Sequence, residues 1–347
     1  MRSLTSFIEL HGLNEDRQGQ GADIRHNYLD PSHPDPRIVM SIRKLPDDLN
    51  AIAKNELGED EAKIEEHIEI ITEWLKKQPH INAREDPQWI AAFLRGCKHS
   101  LEVTKQKLEA YYTIRTHLPE LFADRDPKGA KINELLDLGI YLPLPATKDP
   151  TSPRIILLRG GCYDPSKYNF LDIMRVNYMV MDLMLMEDDR SLIAGQQTIL
   201  DLTGSKFEHV GQFTPATVKK AVTCFQDAYP LRTKSMHFIN LPPSFDMVFN
   251  IFKLFLKEKL KNRILIHSDQ NTLYEHIPKE ILPSDLNGNG PSIAELTAEW
   301  KQKVLDKRDW FLEDAQFCID ESKRAGKPVS GADLFGVDGS FKKLSID

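Results

Sequence analysis

Apolar residues fall at spacings of three and four along the first third of the chain, which predicts helices there. One helix runs from Asp47-Asp48, read as its cap, to about Leu57. A second spans Asp60 to Lys77, with Ile64, Ile68, Ile71 and Leu75 on one side, and Pro79 ends it. Asp86-Pro87 is a cap and first-turn pair opening a third helix that carries Trp89, Ile90, Phe93 and Leu94. Ser100 caps a fourth, with Leu101, Leu108, Tyr111, Tyr112 and Ile114. Residues 1–40, with Gly19, Gly21, Pro31, Pro34 and Pro36 and no apolar period, are expected to be loosely ordered.

The pattern changes after a joint rich in proline and glycine (Pro119, Pro127, Gly129, Pro143, Pro145, Pro150, Pro153). Short continuous apolar runs now alternate with helical stretches. The predicted strands are Arg154–Arg159, Gln197–Leu202, Met236–Asn240 and Arg263–His267. The helices between them cover about Phe170–Glu187, Pro215–Ala228 and Phe245–Leu260. Such alternation implies a largely parallel sheet with right-handed crossovers, so the fold class is α/β behind an N-terminal helical bundle. A last helix is expected from about Ile293 to Ala325, then a tail with a Gly/Ser turn. The expected division is 1–40, 41–125, 126–292 and 293–347.

At 347 residues, 41% hydrophobic and 28% charged, the composition is that of a soluble globular protein. The apolar run Met179–Met186, interrupted by Asp182, is too short to span a membrane. The N-terminus lacks a signal-like apolar core, and the four cysteines (Cys97, Cys162, Cys224, Cys318) are scattered. Both features point to a reducing, cytoplasmic setting. Net charge is −7, yet residues 219–263 hold nine basic side chains against three acidic ones. That asymmetry marks either an anionic partner or a solvated basic face.

Motifs for bond-making chemistry are missing: no G-x-S-x-G, no H-E-x-x-H, no phosphate loop, and no metal-ligand spacing among the 11 histidines. The chain is therefore expected not to be an enzyme and to need no metal or cofactor. His209 and His237 are read as satisfied core or loop residues. Nothing suggests nucleic-acid binding.

Five of the nine methionines lie between Met174 and Met186. A helix apolar on nearly all sides needs cover on nearly all sides, from core packing or from a ligand. Methionine adapts to irregular partners. Asn177 and Tyr178 share the face of Met174, Met181 and Leu185, and a mostly apolar pocket with one or two polar groups is the usual form of a lipid site. The helix from Phe245 is a second candidate wall. Phe245, Val248, Phe249 and Phe252 make one face aromatic, Pro242-Pro243 gives a stiff hinge before it, and the basic run Lys257–Lys261 follows. It reads as an ordinary crossover helix or as one that inserts at a membrane surface.

Several ordered segments together resemble the CRAL-TRIO proteins, the group of cellular retinaldehyde-binding and α-tocopherol transfer proteins, in particular their insect members. They are FLRGCKHSLEVTKQKLEAYYTIR (93–115), IILLRGGCYDPSKYNFLDIMR (155–175), ILDLTG (199–204), QFTPATVKKAVTCFQDAYPLRTKSMHFINLP (212–242), FKLFLKEKLKNRILIH (252–267) and FGVDGSFKKL (335–344). The resemblance implies an α/β lipid-binding domain whose sheet floors a hydrophobic cavity, with a mobile amphipathic helix as gate. On it, Met174, Asn177, Tyr178, Met181, Leu185, Phe207 and Phe213 would shape the pocket, and Phe245, Val248, Phe249 and Phe252 would lie on the gate helix. It also implies a basic cleft for phosphoinositide headgroups, where Arg232 matches a family arginine with Lys219, Lys220 and Lys234 as neighbours.

Two positions depart from the family pattern. Cys97 stands where many members have the second arginine of F-L-R-x-R, and a turn usually written L-P-x-E-[YF]-G-G reads LPSDLNG (282–288) here, so Asn287 must take the backbone of a glycine. The expected activity is non-covalent binding and transfer of a small hydrophobic lipid (tocopherol-, retinoid- or carotenoid-like, or a phospholipid), with release at phosphoinositide-containing membranes. The alternative is a sensor that reports lipid occupancy to a protein partner.

Overall fold

The register of the sheet decides which side chains meet. The computed structural model describes residues 42–336. The expectations for residues 1–40 and most of the 335–344 segment lie outside them.

Helices come first: α1 (Asp47–Ile52), α2 (Ile64–Lys76), α3 (Pro87–Gly96), α4 (Leu101–His117), α5 (Pro119–Phe122) and α6 (Ala130–Asp137). Asp86 caps α3 by accepting from the Trp89 amide, and Ser100 caps α4 by accepting from Val103. Pro46, not the Asp47-Asp48 pair, stands at the start of α1, so the two carboxylates sit in its first turn and favour it through the helix dipole instead. The expected continuation of α1 to Leu57 is a single π turn, Ala53–Leu57, closed by Gly58 at φ 73°.

Then follow β1 (Tyr141–Pro143), β2 (Arg154–Arg159), α7 (Phe170–Glu187), α8 (Asp189–Ile193), β3 (Gln196–Asp201), α9 (Phe207–Val210) and α10 (Pro215–Thr223). After them come β4 (Thr233–Ile239), α11 (Phe245–Phe255), α12 (Glu258–Lys261), β5 (Ile264–Ile266), α13 (Ile293–Asp306), α14 (Arg308–Asp314) and α15 (Gly331–Phe335). The sheet order is β1-β2-β3-β4-β5. β2 to β5 are parallel, as the alternation predicts, and β1 is an antiparallel edge. No strand period is legible at β1, which is three residues long and ends in Pro143.

Two helices are shorter than their apolar period suggests. The chain leaves α11 at Leu256–Lys257, both extended, before the brief α12. The last long helix breaks at Lys307 and ends at Asp314 rather than Ala325. The 282–288 turn keeps a glycine-like backbone, with Asn287 at φ 57°.

Successive registers pair Leu158 with Leu200, Leu200 with Phe238 and Phe238 with Ile266; one step along, Ile156 pairs with Thr198, Thr198 with Met236 and Met236 with Ile264. Even-numbered side chains thus share one face and odd-numbered ones the other. Ile155, Leu157, Ile199 and Ile239 on the odd face are buried in the largest core, with Leu273, Ile277 and Trp300. A second core of Trp89, Phe93, Tyr111, Tyr112, Tyr178 and Tyr229 joins the N-terminal helices to α7. Apart from Ile156, which is buried with that core, the even face is not filled in this way.

Candidate lipid-binding cavity

Over the even face of the sheet lies a cavity of about 230 Å³. Leu158, Leu200, Leu202, Met236, Phe238 and Ile264 floor it, and Phe170, Ile173, Met174, Asn177 and Met181 of α7 form one wall. Ala221, Val222 and Phe225 close another side, and Phe245, Val248, Phe249 and Phe252 of α11 cover it. The lining is mostly aliphatic and aromatic, with few polar groups, which is the composition of a site for an apolar guest.

The cover rests on a small aromatic cluster. Phe245 and Phe249 stack at 5.0 Å and meet Phe238 of β4 at 5.5 and 5.6 Å. Farther along α11, Phe252 approaches Phe213 at 5.8 Å, and Phe213 lies 4.9 Å from Phe170. The end of α11 is fastened by Gln226, whose amide donates to the Phe255 carbonyl (3.1 Å) and accepts from the Lys257 amide (2.7 Å). Met247 and Leu254 on its outer face are 56% and 72% exposed.

Three of the expected pocket residues point elsewhere. Tyr178 is buried against the N-terminal helices, stacked on Tyr229 at 5.1 Å, with its hydroxyl donating to the Ala221 carbonyl (3.0 Å). Leu185 belongs to the same aromatic core. Both lie on α7 at the edge of the expected stripe that faces the bundle. The lining stripe is centred instead on residues 170, 173, 174, 177 and 181. Phe207 is 74% exposed, because the short α9 turns Lys206, His209 and Val210 inward and leaves Phe207 on its outer side. Met174, Asn177, Met181, Phe213 and all four aromatic-face residues of α11 line the cavity.

The four expected headgroup cations fall into two pairs with separate partners. Lys220 pairs with Glu120 at 2.5 Å and Lys219 donates to the Gly336 carbonyl. Arg232 donates to the Ile193 carbonyl and to Glu56 (2.8 Å), and Lys234 reaches the same Glu56 oxygen at 3.4 Å. The hydrogen bond from Arg232 holds the Glu56 carboxyl below its usual range. Glu56 sits on the π turn some 176 residues away in sequence, and no local pattern announces it. The arginine of FLRGC is spent internally: Arg95 is fully buried, forked onto Glu59 at 2.9 Å and bonded to Asp189 at 2.9 Å. Cys97 beside it is buried, and burial pushes its thiol up.

Both histidines named from the sequence are engaged. His209 Nε2 meets the Tyr163 carbonyl at 3.1 Å and its Nδ1 accepts from the Lys206 amide. His237 lies on the other side of the sheet, between Ser235 (2.7 Å) and His267 (2.9 Å). Among the described residues no group of His, Cys, Asp and Glu could hold a metal ion, and no helix is long and apolar enough to cross a membrane.

Comparison with family models agrees with this architecture. Residues 142–288 match the CRAL/TRIO domain model, and residues 60–132 match a model described as Pinta-like, UBA domain. The chain is 29% identical over 299 residues to alpha-tocopherol transfer protein-like of Homo sapiens, covering 86% of this chain and 84% of that protein. It is 28% identical over 280 residues to clavesin-2 of Homo sapiens, covering 80% and 84%. The crystal structure of Sfh5 aligns with a TM-score of 0.46 and 13% identity, over 78% of this chain and 99% of that one. The sheet, the cavity-facing parity and the matched segment agree: residues 142–288 carry a CRAL/TRIO domain, in a chain similar to alpha-tocopherol transfer protein-like and clavesin-2.

Proposed function

We propose that this chain binds one small hydrophobic lipid in the cavity, without covalent chemistry, and delivers it at an anionic membrane when α11 moves aside. The observation that carries the reading is the cavity itself, an apolar space covered by a single helix that is greasy on both faces. The inner face meets the guest through Phe245, Val248, Phe249 and Phe252. The outer face offers Met247 and Leu254, with Lys253 and Lys259 exposed nearby. Such a helix can trade its contacts with the guest for contacts with a bilayer. The CRAL/TRIO domain match and the similarity to a protein named alpha-tocopherol transfer protein-like support a carrier.

Burying roughly 400 Å² of apolar guest surface contributes on the order of 10 kcal/mol at 25 cal/mol/Å². A bilayer offers much the same, so net transfer is close to balance and the cover controls its rate. Arg232, Lys234, Lys219 and Lys220 would meet phosphoinositide headgroups and bias the cover open, provided the open state binds them better. The working location is the cytoplasm, with transient contact at membranes.

Native mass spectrometry of the protein isolated from its own tissue, followed by lipid extraction, tests the binding. One dominant co-purifying lipid is expected. A folded protein that carries none and takes up none from a broad lipid panel would overturn the reading.

A further inference from the structure

Among the described residues the cavity wall contains one fully buried side-chain polar atom that the protein leaves without a partner. Asn177 is 2% exposed, lies in the middle of α7 and lines the cavity. Its Oδ1 has no hydrogen-bond partner, and its Nδ2 reaches only the thioether of Met174 at 3.7 Å. Its neighbours along the lining stripe, Phe170, Ile173, Met174 and Met181, have nothing to donate. Leaving a buried amide oxygen unpaired is costly, whereas a leucine of similar size here would cost nothing of the kind.

We propose that the guest supplies the missing donor: the cargo is a lipid bearing a hydroxyl group that donates to Asn177 Oδ1, and Asn177 sets the preference for an alcohol over an acceptor-only or purely hydrocarbon relative. This rests on the lipid-binding reading above and narrows its substrate class. The remainder of the guest lies among the aliphatic and aromatic lining and is selected by shape alone. Apolar contacts discriminate weakly between guests of similar bulk, while a buried polar atom left unpaired discriminates strongly. Of the other buried polar groups that face the cavity, Tyr163 and His209 already have partners, and among the described lining residues Asn177 Oδ1 is the fully buried side-chain atom without one. The Tyr163 hydroxyl donates to Gln212 Oε1 at 3.0 Å, and both ring nitrogens of His209 are engaged with backbone.

The test uses the full chain and displacement of a fluorescent fatty-acid probe by three lipid pairs: all-trans-retinol with all-trans-retinal, hexadecan-1-ol with hexadecanal, and α-tocopherol with its methyl ether. The wild type is expected to bind the alcohol of at least one pair about tenfold more tightly than its partner. In Asn177→Leu that ratio should fall to about one, while the aldehyde or ether still binds and the lipid-free protein melts at a higher temperature. Equal affinities in every pair that binds would overturn the proposal, and need no variant. So would an alcohol preference that survives in Asn177→Leu, which would assign it to another group. If Asn177→Leu does not fold, Asn177→Ser, which keeps a hydroxyl, should retain part of the preference, and its loss of none at all would count against Asn177. A wild type that binds no lipid overturns the carrier reading and this inference together.

Discussion

Asp182 and Asn177 lie five positions apart on the same helix, both buried, and their surroundings are opposite. Asp182 is saturated. It accepts from the hydroxyls of Tyr111 (3.1 Å) and Tyr229 (2.7 Å) and from the guanidiniums of Arg115 (3.3 Å) and Arg125 (2.6 Å). Both arginines also bond Asp314 of α14, so a four-charge cluster ties the N-terminal helices, α7 and the C-terminal helices together. Asn177 has a sulfur on one side and nothing on the other. One side of α7 is closed by the chain, and on the other, under the proposal above, a guest supplies what the chain does not contain. A buried polar group with all its partners in the sequence fixes a structure, and one without them points to a guest.

The largest break of this contrast comes from Asp182→Ala. It leaves two buried guanidiniums sharing one carboxylate and two tyrosine hydroxyls without their acceptor. A loss of about 3–5 kcal/mol is expected, read by urea unfolding. An unchanged midpoint would mean that the cluster holds nothing together. The direction of the Arg115 shift agrees with this: its neighbouring carboxylates hold its pKa up against burial.

The next effect lies on the odd face of the sheet, where polar groups are again paired by the chain. His237 is fully buried between Ser235 and His267, and His267 passes the chain of bonds to Thr272 at 2.6 Å. The His276 ring lies 5.2 Å from His237, and Glu275 is near His267. Burial, and then the charges of His267 and His276, bring the His237 pKa down to about 4. Its folded value is below its unfolded one, so the unfolded chain binds the extra proton. Stability is whole above about pH 6.5 and declines as pH falls toward 4, by roughly 3 kcal/mol in all. Unfolding titrations across that window check it, and His237→Gln should flatten the slope whatever it does to the absolute stability.

Asn177→Leu reverses the sign. Removing the unpaired amide should stabilise the lipid-free protein by about 1 kcal/mol, read as a rise in Tm. A destabilised variant would show that Asn177 has a structural partner after all, and that the two sides of α7 are alike.

What the sequence revealed follows from what local pattern can encode. The four parallel strands and α7 were legible because continuous apolar runs and three-four spacing are local signals. Periodicity gave α7 its apolar character but not its phase. Tyr178 and Leu185 were assigned to the cavity, yet they face the bundle, because Tyr229, on which Tyr178 stacks, is brought there by distant chain. The break at Leu256 carries neither proline nor glycine and left no mark. Gln226 and Glu56 were invisible for the same reason as Tyr229: each acts across a long loop closure that no window of sequence spans.

The smallest expected effect concerns Glu56, which stands between the two cases. Arg232 and Lys234 resemble Asp182 in having a partner inside the chain, and resemble Asn177 in that an outside group could replace it. Glu56 is about half exposed and bridges both cations with one oxygen, so the pairing is cheap to exchange. An incoming phosphate must compete with it. Glu56→Gln removes the competing charge while keeping the side chain's size. Its affinity for vesicles containing phosphoinositide should rise by roughly two- to fivefold over wild type, and the gain should shrink with added salt. Affinity that falls instead would mean that Glu56 is needed to hold Arg232 in place, and the cation pair would then belong with Asp182, as structure rather than as a site awaiting its ligand.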